Sequence, residues 1–101
     1  MQQARFSISD NILKQFCQRH GIVKLSLFGS VLRDDFGPES DVDVLVEFAT
    51  GHHVGLIRLS AIERELSAIL GRKVDLQTPG FLSPHFRSNI IEAADVRYVA
   101  P

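Results

Sequence analysis

Leu27-Phe28-Gly29-Ser30, followed by Val31-Leu32-Arg33 and then by Ser40-Asp41-Val42-Asp43-Val44-Leu45-Val46, is the stretch on which the fold turns. The run Ile22 to Phe28 is rich in β-formers, with Val23, Leu25 and Leu27 on one face, and it halts at the turn signal Gly29-Ser30. Asp34 to Ser40 is loop chemistry, with an Asp pair, Gly-Pro and Ser. Val42 to Phe48 then resumes period-two alternation, with Val42, Val44, Val46 and Phe48 on one face. These are two strands, and the connection between them is too short for a full crossover helix. The sheet they belong to is expected to be mixed.

Working outward, Ser9 to His20 repeats apolar residues at helical spacing through Ile12, Leu13, Phe16 and Cys17, with Ser9 and Asp10 as start signals and Gly21 as the stop. Cys17 lies on that stripe and reads as a small core residue. Beyond the second strand, a polar bridge from Ala49 to Gly55 leads to a helix through Leu56, Leu59, Ile62, Leu66, Ile69 and Leu70, closed by Gly71. Lys73 to Gln77 reads as a third strand with Val74 and Leu76 inward, ended by Thr78-Pro79-Gly80. Ser83-Pro84 predicts a helix start, with Phe86, Ile90, Ile91 and Ala94 as its buried stripe, and Val96 to Val99 a last short strand. The expected class is α/β, a mixed sheet of three to four strands packed against helices.

The 101 residues, 45% hydrophobic and 23% charged, fit one small domain over residues 1–101. A domain of this length hides only about 60 to 68% of its unfolded surface, so the core is modest. Eleven Lys plus Arg against twelve Asp plus Glu, with pI about 6.4, argue against direct nucleic acid binding. The single cysteine makes no internal disulfide, no apolar run approaches the ~20 residues that span a bilayer, and Met1 to Phe6 lacks a signal-peptide core. A soluble, cytoplasmic protein with no membrane contact is expected.

The chemistry concentrates in the same stretch. Asp41 and Asp43 are two apart at the head of a strand, which puts both carboxylates on one face. Crowded carboxylates repel, and a hard divalent cation relieves them. Magnesium suits the pair, since it binds through one or two carboxylates and completes its shell with substrate phosphates and water. Asp75 lies on the polar side of the third strand and joins the cluster if that strand neighbours the second. Three carboxylates would suit two ions. Gly29-Ser30 lies between a strand and a helical turn that Ser30 would cap, so its backbone N–H groups form an anion site. Arg33, one turn on, reaches the same phosphates. A metal nucleotide is the implied ligand. His52 and His53 read as exposed loop, without the cysteines of a zinc site. Arg58, Arg64, Arg72 and Lys73 read as solvated faces, and Phe81, Phe86 and Tyr98 as core or partner-facing.

Together, Leu27-Phe28-Gly29-Ser30, Arg33 and Ser40-Asp41-Val42-Asp43-Val44-Leu45-Val46 resemble the signature of the minimal nucleotidyltransferases of the DNA polymerase beta superfamily, and Lys73-Val74-Asp75-Leu76 resembles their third-carboxylate strand. The resemblance covers nearly the whole chain and implies the small nucleotidyltransferase fold. It also implies that Gly29 and Ser30 hold the triphosphate of ATP, that Asp41 and Asp43 bind two magnesium ions, and that Asp75 binds metal or activates the attacking hydroxyl. Small members of this kind are similar to the antitoxin half of HEPN/MNT toxin–antitoxin pairs. In those pairs the nucleotidyltransferase adenylylates a tyrosine of its HEPN ribonuclease toxin, which implies a hetero-oligomeric complex. A chain of this length leaves no room for an acceptor-binding domain, which agrees with an acceptor on a partner protein. The sequence departs from the family pattern after the turn, where Leu32 precedes Arg33 and Asp34 follows it with a negative charge. Two other readings stand beside the enzyme: an antitoxin that acts by binding and occlusion, and nucleotidyl transfer to a small molecule or an RNA end.

Overall fold

The structure, a computed structural model, describes residues 8–32, 37, 39–51 and 53–101. Ser9 opens the first helix, α1 (Asp10–His20), by accepting the Ile12 amide on its hydroxyl at 3.5 Å, and Gly21 closes it in the left-handed region at φ 69°. Strand β1 (Ile22–Phe28) follows at once, then one 3₁₀ turn (Gly29–Leu32), β2 (Val42–Phe48), α2 (Leu56–Leu70), β3 (Val74–Gln77), a second 3₁₀ turn (Pro79–Phe81), α3 (Arg87–Ala93) and β4 (Asp95–Val99).

The strands form one sheet in the order β3-β2-β1-β4. β1 runs antiparallel to β2 and to β4, while β2 and β3 are parallel. The mixed sheet expected from loop lengths is therefore the one that forms: a short loop turns the chain back, whereas the parallel pair needs α2 as its crossover. On one face of the sheet Leu25, Leu27, Val42, Val44, Val46, Val74 and Leu76 meet Leu13, Phe16 and Cys17 of α1 and Ile62 and Leu66 of α2 in a single buried cluster. Cys17 is fully buried, and burial pushes its thiol up to about 12, so it is a core residue without thiolate chemistry.

Two ties hold the helices in place. His20 and Arg19, at the end of α1, meet the Glu65 carboxylate of α2 at 3.2 and 2.7 Å. The other tie runs from α2 to β3: the Val74 amide donates to Ser67 Oγ at 3.1 Å and the Leu76 amide to Glu63 Oε2 at 2.8 Å.

Four expectations are corrected. Ile12 is 49% exposed, because the buried stripe of α1 is Leu13, Phe16 and Cys17 and Ile12 lies about 100° round the helix from Leu13. Leu56 is also exposed, since the packed side of α2 begins at Leu59. The third strand begins at Val74, not Lys73. The last helix begins at Arg87 after a turn in which the Phe86 and Arg87 amides donate to Ser83, and it buries none of its residues. With Phe86 at 60% exposure, that helix borders a groove and has no part in the core. Among the described residues no helix is long and apolar enough to cross a membrane.

Candidate active site

Residues facing each other across paired strands share a face. Phe28 pairs with Asp43 across β1 and β2, and Asp43 pairs with Asp75 across β2 and β3. Phe28, Asp43 and Asp75 thus form one row on the sheet face opposite the buried cluster, because their neighbours Leu27, Val44 and Leu76 point into that cluster. The third strand does neighbour the second, and Asp75 pairs with Asp43 in register. Asp75 is exposed, and its Oδ1 accepts Gln77 Nε2 at 3.1 Å.

Gly29 ends β1 against this row. Its φ is 74°, and a Cβ built on it would collide with Asp43 Oδ2 and lie 3.1 Å from Cγ. Glycine is therefore required twice, for the left-handed backbone and for the space that the Asp43 carboxylate fills. The turn that follows includes Gly29 itself, so Ser30 lies inside it and not at its cap, and this corrects the capping expectation. Its hydroxyl donates instead to the Asp41 carbonyl at 3.3 Å, tying the turn to the acidic pair.

Asp41 stands one residue before β2. Its side chain is 48% exposed, with Oδ2 3.9 Å from Lys73 Nζ. The next amide, Val42, donates to the Lys73 carbonyl at 2.9 Å, where the β2–β3 ladder begins. Arg33 and Asp34 lie outside the described residues, as does His52, while His53 is exposed. Arg58, Arg64 and Lys73 are exposed as expected, but Arg72 is not a solvated arginine. Its Nη2 donates to the Gly37 carbonyl and, at 2.8 Å, to the Ser40 carbonyl. Sequence reasoning misses that contact because Arg72 and Ser40 are 32 positions apart and no periodicity links them.

Among the described residues no three His, Cys, Asp or Glu side chains are gathered into a cage for an ion. What the row offers is the Asp43 and Asp75 carboxylates side by side, with a glycine turn pressed against Asp43. That donor set fits magnesium, which keeps water and takes phosphate oxygens where protein ligands are few. Beyond the turn, a groove of about 520 Å³ opens between Phe28, Gly29 and Leu32 on one side and Phe86, Asn89, Ile90 and Ala93 of the α3 region on the other. It can take a flat, largely apolar body attached to an anion held at the turn.

Known proteins resemble the chain in sequence and in fold. Residues 9–96 match the nucleotidyltransferase domain family. A relative from Methanocaldococcus jannaschii that carries a protein adenylyltransferase name is 38% identical over 79 residues, covering 77% of this chain and 83% of the relative. A solved minimal nucleotidyltransferase superposes with a TM-score of 0.69 at 32% identity, over 84% of this chain and 85% of that one. A chain in the complex of a tri-AMPylated Shewanella oneidensis HEPN toxin with MNT antitoxin shares the fold, with a TM-score of 0.65 at 17% identity over 90% of this chain and 70% of that one.

Proposed function

The chain belongs to the nucleotidyltransferase domain family, and from that premise we propose that it transfers AMP from ATP to a hydroxyl, a tyrosine's, of a HEPN ribonuclease toxin and so acts as the toxin's antitoxin. The observation that carries the reading is the row in which Gly29 makes room for the Asp43 carboxylate while Asp75 stands beside it in register. The resemblance of Gly29-Ser30 and Asp41-Val42-Asp43 to the minimal nucleotidyltransferase signature supports it, as does a solved relative complex that holds an AMPylated HEPN toxin.

In this reading Asp41 and Asp43 hold magnesium, with Asp75 as a further ligand or as base. When bound, the metal neutralises charge on the entering and leaving oxygens. The turn at Gly29 and Ser30 offers its backbone to the triphosphate, and Arg33 adds a guanidinium to the same phosphates. The partner's hydroxyl oxygen attacks the α-phosphorus in line, the bond to the bridging oxygen breaks, and pyrophosphate leaves. Asp75, exposed on the open face, accepts the hydroxyl proton or orients the hydroxyl.

The test is the intact mass of a HEPN-like partner incubated with this protein, ATP and magnesium, beside a variant carrying Asp41→Asn and Asp43→Asn. Whole adenylyl increments are expected with the unmodified protein and about 10²- to 10³-fold more slowly with the variant, the scale on which loss of one such electrostatic group acts. A tight complex that silences the partner with no mass increment would replace transfer with occlusion.

A further inference from the structure

We propose that Arg72 is a positioning residue that sets the Asp41 carboxylate for metal, a role that rests on the adenylyl-transfer reading above. The Asp41 side chain itself is held weakly: it is half exposed, and its cationic neighbour Lys73 is 3.9 Å away and 80% exposed. Where its carboxylate stands is therefore decided by its backbone, and that backbone is fastened at three successive points. Arg72 Nη2 donates to the Ser40 carbonyl at 2.8 Å, Ser30 Oγ to the Asp41 carbonyl at 3.3 Å, and the Val42 amide to the Lys73 carbonyl at 2.9 Å. The last of these belongs to the sheet and the second to the turn, whereas Arg72 ties the approach to Asp41 from outside both.

The same nitrogen reaches the Gly37 carbonyl, which also accepts the Ser40 amide at 3.1 Å, while the Gly37 amide donates to Ser40 Oγ at 3.0 Å. One guanidinium nitrogen, with its two hydrogens, thus spans the carbonyls at both ends of the segment that delivers Asp41. Arg72 is itself anchored where α2 gives way to β3, its amide donating to the Ser67 carbonyl at 3.2 Å. Asp75 follows three residues later, so one short segment carries Asp75 on β3 and holds Asp41 through the guanidinium. The backbone stretches that carry the two carboxylates thus share one anchor. Groups that orient metal ligands without touching the metal carry large effects on affinity.

Arg72→Lys, Arg72→Ala and the unmodified chain are compared by calorimetric titration with AMP-PNP, with and without Mn²⁺, and by thermal unfolding. Initial transfer rates are also measured across magnesium concentrations. For Arg72→Ala the Mn²⁺-dependent gain in nucleotide affinity is expected to fall by about 10- to 100-fold, with metal-free affinity unchanged and the magnesium concentration for half-maximal rate raised. Arg72→Lys, which keeps the charge and a donor on a shorter side chain, is expected to recover part of the loss and carries the test if Arg72→Ala does not fold. Variants that keep the full metal-dependent gain, or that lose affinity equally with and without metal, overturn the positioning role and leave Arg72 a fold-stabilising residue. An unmodified chain that binds AMP-PNP no better with Mn²⁺ than without overturns the functional reading itself, and the positioning role with it.

Discussion

At the scale of the residue, Gly29 shows how a glycine can matter for what stands next to it. Its left-handed φ of 74° would cost a Cβ-bearing residue about 1–2 kcal/mol. The larger consequence is that the space a Cβ would occupy is taken by the Asp43 carboxylate. Gly29→Ala is therefore expected to lower the unfolding free energy by about 1–2 kcal/mol and transfer by about 10²-fold, the scale on which a misplacement of about 1 Å acts. Thermal unfolding and initial rates measured on the same preparation check both. A stability loss with an unchanged rate would mean that Asp43 stands elsewhere during the reaction. Asp43 and Asp75 were legible as residues on the polar side of their strands, because alternation is a property of any strand, whereas Asp41 stands one residue outside β2. The partnership of Gly29 with Asp43 was not, since it depends on the register in which β1 meets β2. Arg72 was illegible for the same kind of reason: its contacts cross the fold, and a charged residue after Gly71 looks like any solvated arginine.

At the scale of the element, β3 carries Asp75 yet is only four residues long and stands at the edge of the sheet. An edge strand exposes backbone donors that invite pairing with another chain. Here α2 turns two of its side chains onto them, Ser67 to the Val74 amide and Glu63 to the Leu76 amide. The alternation of Val74, Asp75, Leu76 and Gln77 is thereby fixed from both sides, with Asp75 on the face of the carboxylate row. Removing the carboxylate in Glu63→Ala leaves the Leu76 donor without its partner, which costs about 1–3 kcal/mol. Glu63→Gln, which keeps an accepting oxygen, is expected to cost less than half as much. Chemical denaturation of the two variants checks the ordering, and equal losses would mean that Glu63 acts through packing alone. Helices and strands bounded by Ser9, Gly21 and Gly71 were readable because their caps are local chemistry. The stripe assigned to the last helix failed because Phe86, Ile90 and Ile91 repeat at helical spacing whether they face a core or a groove.

At the scale of the whole molecule, α1 and α2 cover one face of the sheet while the carboxylate row lies on the other, and a polar contact ties the two helices beside their shared core. Glu65 is the tie. Burial would raise its pKa, but the hydrogen bonds and charges of His20 and Arg19 outweigh burial and hold it below the ordinary glutamate range. A carboxylate with a folded pKa below its unfolded value of about 4.3 contributes stability that is fully present above that value and is lost as pH falls through the folded pKa. The pair is partly exposed, with Glu65 at 34% and Arg19 at 58%, so solvent screening keeps the contribution to about 0.5–1 kcal/mol. Glu65→Gln is accordingly expected to unfold more readily than the unmodified chain at pH 7, and the gap should narrow as pH falls below the unfolded value of about 4.3 and through the folded pKa. Urea midpoints measured from pH 3 to 7 at low salt decide it. A gap that persists unchanged at pH 3 would show that the contact works through shape rather than charge. Because the tie lies between the helices, across the sheet from the carboxylate row, the variant is expected to leave the rate of transfer unaltered wherever the chain remains folded.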